Sequence, residues 1–259
     1  MGAKIVEGKK ILITGASEGI GRELSKLFAA EGSSVYLIAR NQERLASLKE
    51  EISTEKNHVH YISCDVSDYN QCKAAYDIAK GEFGGIDMAI INAGTGLNSN
   101  LDVPHLEFAH KVMDVNYFGV LNFAKVLFPH FIKKGKGDFI AVSSLADSRG
   151  FEGSGIYCSS KAALSIYLEA ARTELEKHNV RVMTIKPGFV DTNMTRQNNH
   201  KMPFIMSAEK AAKKMYKAIN SGKTNYSFPW QAKFGAYILK VLPSSIYNRL
   251  ARIRGKLGL

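Results

Sequence analysis

The 259-residue chain has only three cysteines, no CxxC pair, no apolar run long enough to span a bilayer and no acidic residue beyond position 209. An odd set of thiols (Cys64, Cys72, Cys158) without ligand spacing argues against both a disulfide framework and a structural zinc site, leaving buried, unreactive thiols as the default. His58 and His60 stand at strand spacing with no further ligand to complete a set, so no metal is expected. A spanning helix needs ~20 consecutive apolar residues, and MGAKIVEGKK precedes the first strand without an apolar run; cytoplasmic placement is the expectation. No linker, internal repeat or low-complexity segment interrupts the chain. With 45% hydrophobic residues it can bury a sizeable single core.

The net charge of +11 is unevenly placed: residues 1–209 carry 24 basic and 24 acidic side chains, and residues 210–259 carry 11 basic and none acidic. Beyond Pro229, Phe234, Ile238 and Val241, then Ile246, Leu250, Ile253 and Leu257 after Pro243, recur at helical spacing. Lys233, Lys240, Arg249, Arg252 and Lys256 lie to one side. This predicts two short basic amphipathic helices forming an extension over 230–259. Such helices can make peripheral contact with a membrane interface; packing on the same subunit or across a dimer is the competing reading. Nucleic acid is not an expected partner, since no recognised module is present and the cations are interleaved with an apolar stripe.

Lys9-Lys10 followed by Ile11 to Thr14 reads as a buried strand running into Gly15-Ala16-Ser17-Glu18-Gly19-Ile20-Gly21. A helix with Leu24, Leu27, Phe28 and Ala30 on its apolar face follows, stopped by Gly32 before the strand Val35–Ala39. Glycines allow a tight turn and close ligand approach, and the helix N-terminus offers N–H groups to a pyrophosphate. The alternation continues with a polar helix over 41–56, a strand at Val59–Ser63, a helix near 69–82 and a strand at Met88–Ile91. Helix from Pro104 to Lys134, in one piece or two, then leads to a strand at Asp138–Ser144 and a loop over Leu145–Gly153. A helix to about His178 and a strand at Val180–Ile185, halted by Pro187-Gly188, complete the series. Repeated βα units predict a parallel sheet with helices on both faces.

In YCSSK, Tyr157 and Lys161 are four residues apart and share a helix face. An ammonium beside a phenol favours the phenolate, which is expected to pull the phenol down from its usual value near ~10 and let it exchange a proton with a substrate oxygen.

Taken together, TGASEGIG, INAG at Ile91–Gly94, Asn116 in DVNYFG, Ser144, YCSSK and PGFVDT resemble the short-chain dehydrogenase/reductase (SDR) family over residues 8–228. Ile91 departs from the family's NNAG, a change expected to affect packing more than chemistry. The resemblance implies an α/β, single-domain Rossmann-type doubly wound parallel sheet, with a nucleotide-binding domain over 1–229. It implies a catalytic set of Asn116, Ser144, Tyr157 and Lys161: Tyr157 as proton donor or acceptor, Lys161 also holding the nicotinamide ribose, Ser144 bonding the developing alkoxide, and Asn116 placing a water behind Lys161. Asp65 and Val66 are expected at the adenine, Asn92 and Gly94 at the adenosine ribose, and Val190 with Thr192, beyond Pro187-Gly188, at the carboxamide.

Cofactor preference is read from Ala39-Arg40 at the end of the second strand. No carboxylate stands there for the ribose hydroxyls, and Arg40 can pair with a 2′-phosphate, with Ser17 adding a hydroxyl. NADP(H) is therefore expected over NAD(H), with Glu18 a contrary sign. The resemblance implies that the segment after PGFVDT, Asn193–Met206, closes over the substrate, and its Met194, Met202, Pro203, Phe204, Ile205 and Met206 make it an apolar lid, so a hydrophobic carbonyl or alcohol substrate, lipid-like in the extreme, is expected. Family resemblance implies a homo-oligomer, dimer or tetramer. The alternative function is a low-turnover nucleotide-sensing or membrane-associated interaction protein on the same fold.

Overall fold

A computed structural model describes residues 6, 8–55, 57–96, 106–197 and 201–257, with side chains only as far as Ala251. Seven parallel strands form the sheet: β1 Lys10–Thr14, β2 Ser34–Ala39, β3 Val59–Ser63, β4 Met88–Ile91, β5 Gly137–Val142, β6 Val180–Pro187 and β9 Asn225–Phe228, in the order β3-β2-β1-β4-β5-β6-β9. A separate small pair joins β7 Val190–Asp191 to β8 Met206–Ser207. Helices α1 Gly19–Ala30, α2 Gln42–Ile52, α3 Tyr69–Phe83, α4 Leu106–Met113, α5 Gly119–Lys134, α6 Gly155–Glu176 and α7 Ala208–Asn220 cross between the strands, followed by α8 Trp230–Val241 and α9 Ser244–Leu257. The doubly wound reading holds.

Its cause is visible residue by residue, because successive strand side chains point to opposite faces. Ile11, Ile13, Val35, Leu37, Met88, Ile90, Ile140, Val142, Met183 and Ile185 join one core with Leu24 and Phe28 of α1 and Met215 of α7. Leu12, Tyr36, Ile38, Ala89, Ile91, Phe139, Ala141 and Val182 join the other, with Phe83 of α3, Phe123 and Leu127 of α5 and Leu164 and Leu168 of α6. Both sheet faces are covered, so the strands are apolar almost throughout. Ile91 packs in this second core, as the packing reading of INAG expects.

Local punctuation agrees with the boundaries. Asn41 caps α2, Asp68 caps α3 and Ser207 caps α7 through side-chain acceptors, while Gly84 and Gly135 end α3 and α5 in the left-handed region. Three expectations need adjustment. The helix predicted over 41–56 stops at Ile52, where Ser53 turns extended and its hydroxyl bonds the Lys49 carbonyl. The segment read as loop at 145–153 opens with a 3-10 turn, Leu145–Ser148, started by the Ser144 side chain accepting from Ala146 N–H. Middle helices α4 and α5 are joined through one π-helical stretch, Asp114–Phe118; the expected start at Pro104 lies outside the described residues.

Strand edges are also tied by charge. Asp138 on β5 accepts from Lys9 Nζ at 2.7 Å and from Arg181 Nε at 2.7 Å, linking the approach to β1 with β6. All three side chains are largely buried. Asp138→Ala leaves two cations short of their acceptor and should lower unfolding free energy by ~1–3 kcal/mol, read from urea denaturation, with little change in nucleotide binding.

Candidate active site

The sheet order reverses direction between β1 and β4, and the strand ends at that switch point open the crevice where ligands bind in such sheets. Thr14, fully buried, accepts the backbone N–H groups of Asn92 and Ala93 at 3.0 Å each. The Asn92 amide returns the tie by donating to the carbonyls of Thr14 at 3.2 Å and Gly15 at 3.4 Å. Two strand ends are thereby locked, and the Asn92 side chain serves this lock. Gly15, at φ +66°, could not carry a Cβ without meeting Ala93 Cα at 2.9 Å, and one on Gly21 would stand 2.1 Å from the Gly15 carbonyl oxygen. The spacing of these glycines is thus a requirement of close packing in the turn itself.

Helix α1 starts at Gly19 without a side-chain cap, so its first N–H groups have no such partner. That is the arrangement an anionic phosphate needs. Gly19 lies against Thr192, whose Cγ2 would be 3.1 Å from an added Cβ, which brings PGFVDT to the glycine turn. Just beyond that segment Thr195 Oγ1 donates back to the Val190 carbonyl at 2.6 Å, while Gly188 N–H donates to Phe228 O at 2.7 Å beside the buried Pro187. Val190 is core rather than free surface, and Ile20 packs on the same core. Ser17 lies half-buried within the turn.

Beyond the ends of β2 and β3, where the adenosine is expected, Arg40, Asp65, Ser67, Glu107, His110 and Lys111 line a cavity of about 370 Å³. Burial works against the Asp65 carboxylate, but hydrogen bonds from Ser67 and the charge of Arg40, 4.0 Å away, outweigh it and hold its pKa below the usual range. Val66 is buried against Gly119 at the start of α5. Glu18, the contrary sign for a 2′-phosphate, is neutralised by an ion pair with Arg44 and accepts from Asn193 Nδ2 at 2.6 Å. Arg44 escaped the sequence reading because it sits inside a polar helix with nothing to mark it.

The four expected catalytic residues converge. Asn116 is fully buried in the π-helical stretch, where an extra residue per turn re-aims side chains. Its Nδ2 donates to Thr95 O at 2.8 Å and Ser160 Oγ at 3.0 Å, and its Oδ1 accepts from Thr95 N–H at 2.8 Å. Gly94 stands between Asn116 and Lys161: a Cβ there would lie 3.2 Å from Asn116 Oδ1 and 3.5 Å from Lys161 Nζ. Lys161 is buried, donates to Val142 O at 2.9 Å, and has its Nζ 5.9 Å from the Tyr157 ring centre. Burial lowers its pKa to about 8.

The phenol departs from expectation. Burial raises the Tyr157 pKa, opposed by a hydrogen bond from Ser144 and reinforced by the charge of Asp147. The group that favours the phenolate here is Ser144, because the Lys161 ammonium is turned to the strand-end carbonyl of Val142.

Asp147 was not found by sequence, where ADSRG read as loop. Its carboxylate, on the turn begun by Ser144, accepts from Ser165 Oγ on α6 and pairs with Lys186 Nζ at the end of β6, both at 2.5 Å. Ser165 in turn meets Ser143 Oγ at 2.8 Å, and Ser143 donates to the Lys161 carbonyl at 3.0 Å. One carboxylate therefore ties the Ser144 turn, the Tyr157 helix and the strand leading to Pro187. Gly96 was also missed: a Cβ there would meet the Tyr157 ring at 2.8 Å.

The residues expected to form a lid divide: Phe204 and Ile205 are exposed, Met194, Met202 and Met206 are half-buried, and Asn198, Asn199 and His200 lie outside the described residues. All three cysteines are free and buried, and burial raises the Cys158 thiol. Two substitutions check the geometry. Asp147→Ala leaves the half-buried Lys186 ammonium and the Ser165 hydroxyl without their acceptor and should cost ~1–3 kcal/mol of stability, while Gly96→Ala should leave stability nearly intact and displace the Tyr157 ring, seen as a changed near-ultraviolet circular dichroism of the tyrosines.

Similarity to known proteins bears on this arrangement. A family model described as short chain dehydrogenase matches residues 9–203. An uncharacterized oxidoreductase of Myxococcus xanthus is 34% identical over 241 residues, 93% of this chain and 95% of that protein. The 11-beta-hydroxysteroid dehydrogenase-like 2 protein of Arabidopsis thaliana is 31% identical over 248 residues, 93% of this chain and 80% of that one. The alcohol dehydrogenase of the archaeon Thermococcus sibiricus, solved with 5-hydroxy-NADP, superposes with a TM-score of 0.78 at 26% identity over 86% of this chain and 96% of that chain. With its switch-point crevice, uncapped glycine-turn helix and converging Ser, Tyr, Lys and Asn, the chain belongs to the short-chain dehydrogenase/reductase family of oxidoreductases.

Proposed function

We propose that the chain is an NADP(H)-dependent carbonyl reductase, or alcohol dehydrogenase in the reverse direction, acting on a hydrophobic substrate. The observation that carries this reading is the convergence of Tyr157, Lys161 and Asn116 around Gly94 and Gly96, with the Ser144 hydroxyl acting on the phenol to favour the phenolate and Lys161 buried one helical turn away. Ser144 Oγ already accepts from Ala146 N–H, so its own proton is left to donate. A carbonyl oxygen seated between Ser144 and Tyr157 receives the Ser144 hydrogen bond and the phenol proton. Lys161, with its pKa brought down to about 8 by burial, is the nearby group able to replenish that proton. When bound, the nicotinamide supplies the hydride. Asn116 fixes the Thr95 backbone and Ser160, the residue beside Lys161, and so holds the floor of the site in place.

Preference for the 2′-phosphate is supported by Arg40, 71% exposed at the end of β2, with Arg44 one turn into α2. The archaeal relative with 5-hydroxy-NADP supports the same cofactor class. An apolar substrate is supported by the exposed Phe204 and Ile205 and by the hydroxysteroid name of the plant relative. An oligomer through the middle and catalytic helices is supported by exposed Leu106, Phe118 and Ile166 on α4, its π-helical continuation and α6.

Wild type should oxidise NADPH with ketones of increasing chain length, faster than it oxidises NADH, and Tyr157→Phe should lose at least ~10²-fold in rate. Arg40→Ala should raise the KM for NADPH about tenfold and leave NADH use unchanged, as expected when a charge-assisted phosphate contact is lost. NADPH binding with no tyrosine-dependent turnover in either direction would sink the reductase reading.

Lys161 also sets a stability signature. Its pKa is lower in the fold, about 8, than the ordinary 10.5, so the unfolded chain binds the extra proton throughout that window and stability rises with pH across it. Above pH ~10 the buried tyrosines act in the opposite sense. Urea midpoints of the cofactor-free protein should climb from pH 8 upward, and Lys161→Met should flatten that climb.

A further inference from the structure

We infer that the outer face of α8 and α9 is a docking surface for an anionic lipid bilayer. Helix α8 has two faces of unlike character. Ala232, Gly235, Ala236 and Leu239 are half-buried toward the body of the protein, and Ala232 lies beside Gly188. Opposite them Trp230, Phe234, Tyr237, Ile238 and Val241, at spacings of three and four, form an apolar stripe turned to solvent, with Trp230 73%, Tyr237 62% and Phe234 60% exposed. The sequence-based alternative, that this stripe packs on its own subunit, is not what the fold does.

The stripe continues on α9 through Ile246 and Leu250, both exposed. The start of α9 is held to the body by Tyr247, whose hydroxyl donates to Gly150 O and whose ring centre lies 4.7 Å from the Arg149 guanidinium, and the turn before it by Arg149 donating to Leu242 O at 2.7 Å. Lys233 and Lys240 flank the stripe on α8 and are exposed. The side chains of Arg252, Ile253, Lys256 and Leu257 lie outside the described residues.

Charge selects the occupant. From Trp230 to the last residue the sequence has six basic side chains and no acidic one. A second copy meeting this face across a two-fold axis would set that charge against itself, since such an interface apposes the same patch on both subunits. An anionic bilayer offers what the surface lacks: negative headgroups for the cations and an acyl boundary for the stripe. Trp230 and Tyr237 suit this depth, where aromatic side chains with a polar edge collect. Among the described residues no helix is long and apolar enough to cross a membrane, so α8, spanning ~18 Å by its twelve residues, would lie along the interface.

Trp230 is the chain's single tryptophan, so its emission reports this face alone. Full-length protein titrated with phosphatidylcholine vesicles containing phosphatidylserine should show a blue-shifted emission and sediment with the lipid. Pure phosphatidylcholine should bind far less, and added salt should weaken the anionic binding. Lys233→Ala and Lys240→Ala should each reduce the partition coefficient about fivefold, the equivalent of one surface cation near charged lipid. Phe234→Glu, checked for folding by circular dichroism, should abolish binding. An unshifted emission and no sedimentation with anionic vesicles at low salt overturns the proposal. So does a Phe234→Glu change from oligomer to monomer in a protein whose wild type ignores vesicles, which would assign the face to a subunit contact.

Discussion

Everything in the site hangs on the lock between the ends of β1 and β4. A parallel sheet that reverses its winding leaves a gap there, and a gap lined by backbone would ordinarily leave donors and acceptors unpaired. The Thr14 hydroxyl and the Asn92 amide meet this need with four hydrogen bonds from two side chains. They close the floor while leaving the mouth open. From that floor rise the glycine turn on one side and Gly94, Thr95 and Gly96 on the other. These in turn define where Asn116, Lys161 and the Tyr157 ring can stand.

A second theme is the handling of buried charge. Lys161 is placed where water cannot reach it, with one carbonyl as acceptor. The result is a softened base rather than a firm cation, because desolvation penalises the charged form. Linked to Lys161 through Ser143 and Ser165, the opposite solution is used: Asp147 and Lys186 are paired and hydrogen-bonded, and the pair fastens three elements together. The first arrangement makes the ammonium easier to deprotonate; the second keeps a scaffold still.

The fold was legible because its signals are local and repeated. Strand runs such as Ile11 to Thr14, the glycine turn and the stop at Pro187-Gly188 state their conformations in neighbouring residues. Tyr157 and Lys161 were legible as a pair because helical spacing fixes their proximity. What escaped depends on contacts between distant segments. Asp147 acquires its part only when β6 delivers Lys186. The partner of Glu18 is known only once α2 brings Arg44 to it. The direction of the Tyr157 pKa was misjudged because sequence spacing places the ammonium near the phenol but says nothing of the Val142 carbonyl that draws it away, or of the burial that dominates. The tail was foreseen as two amphipathic helices, yet which face would turn outward was settled only by the small residues of α8 that fit the body.

The π-helical stretch at Asp114–Phe118 has a bearing on how this protein can change over generations. One residue more than an α-helical turn requires is stored there, and Asn116 owes its inward aim to that surplus. Loss of any single residue from the stretch would restore ordinary winding with α4 and α5 still in phase, and would turn Asn116 away from Thr95 and Ser160. Side chains such as the exposed Phe118 can be exchanged at little cost. Length is the inherited quantity in this segment, and it tolerates substitution far more readily than insertion or deletion.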